Sequence, residues 1–126
     1  MATRKDVRRL FRQMAARGVN WGGELLLEPS DALALVDALE SLGVPLLGAS
    51  TWYRVPDVEG AIAEDQGIEC AVPEEVLRAP DAVPASTAIV RDFILRWLGP
   101  RTEFVSIDPA VPPESYVLRA VIADRR

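Results

Sequence analysis

Two apolar runs, ELLLE at residues 24–28 and VPLLGASTWYRV at residues 44–55, flank an amphipathic helix pattern. That arrangement constrains the fold more than any other feature of the chain. In SDALALVDALESLG, Ala32, Leu35, Val36, Leu39 and Leu42 recur at helical spacing and form one apolar stripe. Ser30 is expected to cap the helix, Asp31 sits near the positive end of its dipole, and Gly43 ends it. Glu24 to Glu28, closed by Pro29, reads as a short strand. Residues 44–55 read as a buried strand with a bulge or bend expected at Gly48. Strand, helix and strand within about 30 residues is βαβ spacing, so the two strands are expected as parallel neighbours in one sheet.

The flanking segments extend this unit. In TRKDVRRLFRQMAARG, Val7, Leu10, Phe11 and Met14 recur at helical spacing, Thr3 and Asp6 fit a capping box, and Gly18 is placed as the C-terminal cap. The prolines at 56, 73, 80 and 84 mark residues 56–85 as an ordered, acidic loop region, with one helical turn at PEEVLRA. STAIVRDFILRWLGP reads as a strong helix with Ile89, Val90, Phe93, Ile94, Trp97 and Leu98 on its core face. TEFVSID and SYVLRAVIA, joined by a proline-bearing loop, fit an antiparallel hairpin at the sheet edge.

Together these elements predict a single α/β domain of 126 residues, with one mixed sheet of about four strands and three helices packed on it. Leu25 to Leu27, Leu35, Leu39, Leu46 and Leu47 are expected to fill the core, with Leu39 facing Leu46 and Trp21 covering the edge.

Composition excludes most catalytic designs. Histidine is absent, which removes the commonest general base, the commonest zinc ligand and every Ser-His or Cys-His nucleophile. Cys70 is the only cysteine, so it can form neither an internal disulfide nor a thiolate metal cluster, and it reads as a small, partly buried hydrophobe. Gly22-Gly23 lacks the spacing and the lysine of a phosphate cradle. No cofactor is expected. A carboxylate-only enzyme would need two facing acids in environments that separate their pKa values. The charged start MATRKDVRRLFRQ does not look like an export signal, and no run reaches the length of a membrane span, so a cytoplasmic protein is expected.

A family resemblance points to a function. Asn20-Trp21, a short apolar step, the helix SDALALVDALESLG and the strand VPLLGASTWY are similar to the immunity protein 40 family of bacterial polymorphic-toxin systems. Members of that family tend to show an Asn-Trp-Ala-Leu start, a helix, and a Gly-Ile-Pro-Ile-Leu-Gly-Gly-Asp strand. The match spans roughly residues 18–55 and, more loosely, the helix at 86–98. Gly48-Ala49-Ser50 stands where Gly-Gly-Asp would be expected, and Gly22-Gly23-Glu24 follows Asn-Trp as an insertion. The resemblance implies a non-enzymatic inhibitor that binds and blocks a cognate toxin domain.

Charge layout bears on the partner. Residues 1–17 carry six basic and one acidic side chain, net +5, and residues 18–126 carry eight basic and eighteen acidic ones, net −10. The basic face of the first helix, Arg4, Lys5, Arg8, Arg9 and Arg12, could be a nucleic-acid surface or a solvated one. Asp57, Glu59, Glu64, Asp65 and Glu69 head a dense acidic stretch that would repel nucleic acid and anionic membranes and would steer a basic protein toward it. Trp52 and Tyr53, directly before that stretch, are the candidate aromatic anchors, with core filling as their alternative role. The expected partner is therefore a basic toxin domain bound through Trp52, Tyr53, Asp57, Glu59, Glu64, Asp65 and Glu69. The alternative is a small accessory or regulatory protein that binds another protein partner.

Overall fold

A computed structural model describes residues 3–55, 58–97 and 108–124. The first helix, α1 (Arg4–Ala15), opens on the expected capping box. The Thr3 N–H donates to Asp6 Oδ2 at 2.9 Å and the Asp6 N–H donates to Thr3 Oγ1 at 3.3 Å. Val7 and Met14 are buried, and Leu10 and Phe11 pack beside them. The five basic residues of the outer face are exposed. Gly18 is not a left-handed cap: a Cβ there would lie 2.4 Å from the Leu26 carbonyl oxygen and 2.6 Å from Leu27 Cδ2. Glycine is needed at 18 for close backbone approach.

That approach seats a hairpin, β1 (Val19–Trp21) paired antiparallel with β2 (Glu24–Leu26). Gly22 and Gly23, at φ 56° and 84°, make the two-residue turn, whose positive φ angles match the twist of the paired strands. Helix α2 (Pro29–Ser41) starts two residues earlier than Ser30 as its cap would set it. Glu28 occupies the cap position with no side-chain bond, and Pro29 supplies the preset φ of the first turn. Its C-terminus is the expected glycine stop: the Gly43 N–H donates to the Glu40 carbonyl and the Val44 N–H to the Leu39 carbonyl, with Gly43 at φ 74°.

Strand β3 (Leu46–Arg54) follows and is central. It pairs antiparallel with β4 (Ile62–Ala71) on one side and β5 (Val117–Ala123) on the other, giving the order β4-β3-β5. The expected bulge is present, because the register against β5 shifts between Leu46 and Gly48. Leu27 then bridges antiparallel to Arg119, which attaches the hairpin to the outer side of β5. Segments 24–27 and β3 thus run parallel with β5 between them. The expected direction holds, but the expected adjacency does not, since the last strand of the chain inserts between them.

The α/β class stands, with corrections. The five strands form a two-stranded and a three-stranded sheet, every pairing is antiparallel, and the described residues hold four α-helices and a 3-10 turn at Pro113–Ser115. Most of the described part of residues 56–85 is regular structure: β4, the short α3 (Glu74–Arg78) and the start of α4 (Ala82–Arg96). Pro84 falls in the first turn of α4, where a missing N–H costs nothing. The TEFVSID strand expected at 102–108 lies outside the described residues except for Asp108. SYVLRAVIA contributes β5, an interior strand bounded by β3 and by Leu27.

Helices α2 and α4 cover one face of the sheet. Leu35, Leu39, Val90 and Ile94 from the helices join Leu46, Ala49, Ile68 and Val121 from the strands in one core, and Leu39 and Leu46 are both fully buried in it. Ser86 pins α4 to β3, since its hydroxyl accepts from the Leu46 N–H at 3.0 Å and donates to the Val83 carbonyl at 3.3 Å. Arg91 ties α4 to α2 through Asp37 and through Glu40 at 3.6 Å, and the Asp37 hydrogen bond raises the Arg91 pKa. Trp97, expected in the core, is exposed: α4 ends at Arg96 and no longer carries it on the buried face.

Candidate functional site

The sheet face without helices carries a smaller apolar cluster, Leu26, Leu118 and Ala120 with Trp52 and Ile62 against them. At its margin β3 turns into β4. Arg54 and Ile62 form the last pair of the ladder, the Val55 N–H donates to the Ala61 carbonyl at 2.9 Å, and Gly60 takes φ 76° in the turn. The Arg54 backbone N–H donates to the Tyr116 carbonyl at 2.8 Å, which fixes this turn against the segment entering β5. The hairpin tip stands opposite. Val19 and Trp21 on one side, Val55, Val58 and Ile62 on the other, and Val111 and Tyr116 between them enclose an open cavity of about 600 Å³. That volume lies in the usual range of binding pockets, roughly 300–1,000 Å³.

Its polar lining is small. The Arg54 Nη1 donates to the Ser115 carbonyl at 2.9 Å and stands 3.6 Å from Glu28 Oε1, so the cation is compensated inside the wall. Glu59 adds an exposed carboxylate. The Tyr116 hydroxyl accepts from the Asp108 N–H at 3.3 Å, which ties the loop before β5 to the strand.

The register decides which predicted residues share this face. Residues directly opposite in an antiparallel pair lie on the same side. Trp52 opposes Glu64, Ser50 opposes Glu69 and Arg54 opposes Ile62. Glu64 and Glu69 therefore stand exposed on the helix-free side. Trp52 is half-buried there, packed in the apolar cluster, with its indole N–H donating to Ser50 Oγ at 3.0 Å.

Two candidates fall on the wrong side. Asp65 is 6% exposed, and strand alternation turns it away from Glu64 toward the helices, where its field acts on Arg119. Tyr53 opposes Ala63 and Val117 and shares that side. Neither belongs to an outward acidic surface. Asp57 lies outside the described residues. Of the expected residues only Glu59 lines the cavity, beside Trp21, Arg54, Val58, Ile62 and Tyr116, which the sequence did not suggest, while Trp52, Glu64 and Glu69 stand on the adjoining helix-free face. A Gly-Gly dipeptide between two apolar runs was the available signal, because it marks a hairpin whose end displays Trp21.

Beneath the helices lies a second polar group. Arg119 is fully buried, its guanidinium carbon is 5.6 Å from the centre of the Phe93 ring, and among the described residues none of its three side-chain nitrogens has a hydrogen-bond partner. Burial pushes its pKa down to about 10, with Asp65 acting in the opposite sense. Thr51 and Thr87 also bury hydroxyl oxygens that have no hydrogen-bond partner among the described residues. Burial raises the Cys70 thiol above its ordinary range. Among the described residues no group of three or more acidic or cysteine side chains could hold a metal ion, and no helix is long and apolar enough to cross a membrane.

No family model, curated protein or solved structure matches this chain.

Proposed function

We propose that the protein is a toxin-neutralising immunity protein that receives a basic toxin domain on the helix-free side of the sheet, along β4. One observation carries this reading: among the described residues β4 is a ten-residue edge strand, its exposed Glu64 and Glu69 share a face with Trp52, and its first residue, Ile62, lines an apolar cavity. An apolar centre with a charged rim is the anatomy of a protein interface. Carboxylates on an edge strand also discourage pairing with another acidic copy while leaving the backbone open to a basic segment. The resemblance of residues 18–55 to the immunity protein 40 family supplies the kind of partner.

The test pairs this chain with the C-terminal toxin domain of a large protein encoded directly upstream. Co-expression should restore growth and yield a stoichiometric complex whose association slows as salt rises while dissociation changes less. Glu64→Lys with Glu69→Lys should weaken binding at least about tenfold with the fold intact. Absence of both protection and binding overturns the reading.

A further inference from the structure

The cavity beside Trp21 has a chemistry of its own. Trp21 is 40% exposed and Val58 54% exposed, and these two large apolar side chains face one concavity, whereas Leu95, Trp97 and Ile122 lie outside its walls. Its one cation is already engaged by Glu28 and the Ser115 carbonyl. Glu59 has no ion-pair partner among the described residues, so the walls carry net negative charge on the side open to solvent. An apolar pocket with an unpaired carboxylate at its mouth favours an apolar body attached to a cation and disfavours the same body attached to an anion.

We infer that this cavity seats an aromatic side chain of the basic partner whose immediate neighbour is positively charged. This deepens the proposed function and rests on it for the source of the side chain. Two features argue for a partner residue. Ile62, the first residue of β4, lines the cavity, so a chain lying along that strand reaches it directly. The hydrophobic walls also continue into the Trp52 cluster through Ile62. An aromatic anchor in such a pocket would be the energetic centre of the interface, with Glu59 at its rim and Glu64 and Glu69 as outlying contacts farther along β4.

The experiment uses the full chain and three probes, L-tryptophan amide, N-acetyl-L-tryptophan and L-arginine amide, followed by NMR shifts of the Trp21 indole. Tryptophan amide should saturate with a dissociation constant on the order of 1 mM, at least about fivefold tighter than N-acetyltryptophan, and arginine amide should shift little. Glu59→Gln should erase the preference between the two tryptophan derivatives. Val58→Lys should weaken tryptophan amide about tenfold, and Ile122→Lys, at an exposed apolar position away from the cavity, should leave it unchanged. No saturation, or equal affinity for the anionic probe, overturns the inference. With the toxin domain as ligand, Val58→Lys should also weaken binding about tenfold. If the complex survives Val58→Lys but not the Glu64/Glu69 reversal, the anchor inference fails and the immunity reading stands. If tryptophan amide binds as described but no toxin does, the immunity reading fails, the pocket chemistry stands, and the cavity takes a free cationic aromatic molecule.

Discussion

Replacing Arg119 by methionine and its buried neighbour Asp65 by asparagine in one variant should make this protein more stable, although it deletes a fully buried side chain from the middle of an interior strand. Burial lowers the guanidinium well below its ordinary value, to about 10. Holding the charge there near neutral pH therefore costs about 3 kcal/mol, at roughly 1.36 kcal/mol per pKa unit. The same environment returns part of that cost. A desolvated cation over a ring at 5.6 Å, as Arg119 stands over Phe93, gains about 1–2 kcal/mol. Methionine has a similar reach and no polar hydrogen, and it keeps most of the packing against Phe93. With the Asp65 charge removed alongside, so that no lone buried carboxylate remains, the balance is a stabilisation of about 1–2 kcal/mol, in line with replacements of other buried ionic groups as a set. Urea unfolding, followed by tryptophan fluorescence and by far-UV circular dichroism, should place the midpoint higher by about 0.5–1 M for a slope of about 2 kcal/mol per M. A loss of more than about 1 kcal/mol would refute the reasoning, because it would mean that the guanidinium is hydrogen-bonded in solution and that its removal breaks a satisfied network. Arg119→Lys provides the contrast: a compact, strongly hydrated ammonium is harder to bury, and this variant should be less stable than the parent.

Leu39→Ala should cost about 2–5 kcal/mol in the same assay, since the side chain is fully buried between helix and strands, and a change under about 0.5 kcal/mol would show that the site is not core. Gly48→Ala should destabilise by about 1–3 kcal/mol, because the new Cβ would lie 2.1 Å from the Cys70 carbonyl oxygen and β3 and β4 would have to separate; a neutral result would mean that the ladder yields there. The Asp6 carboxyl is held below its ordinary 3.8, first by its bond from the Thr3 backbone N–H. Its capping contribution to α1 is therefore complete above pH 3.8 and is lost as pH falls through the lower folded value. Helical circular dichroism should fall in that acid window, and Asp6→Asn should flatten the dependence.

The elements legible in the sequence are those whose apolar spacing is dictated by one large core. Val7, Leu10 and Met14 in α1, Leu35 and Leu39 in α2, and Val90, Phe93 and Ile94 in α4 all repeat at helical intervals because each helix buries a single stripe. Strand β4 was hidden because IAEDQGIECA buries Asp65, Ile68 and part of Cys70 out of simple alternation. Its register against β3 shifts between Ser50 and Trp52, and an edge strand tolerates charges that a central strand would not. The adjacency of 24–27 and β3 failed for a long-range reason: nothing near those residues announces that Arg119, some 90 positions later, supplies the intervening rung. The candidate site divides along the same line. Glu64, Glu69 and Trp52 could be suggested from charge and side-chain type, but the inward turn of Asp65 follows only once β4 is known as a strand, and the Trp21 and Tyr116 walls meet only through the hairpin and β5.

The hairpin hangs on the sheet at Leu27, which exchanges two backbone hydrogen bonds with Arg119, at 2.9 and 2.7 Å, and is fully buried. From Asn20 to Glu24 every residue beyond that foothold is exposed. The tip can therefore accept new residues, a longer turn or a different aromatic while the foothold and the core below it stay unchanged. One wall of the cavity is free to diversify on its own, so a lineage of such chains could change what it recognises without first having to regain its stability.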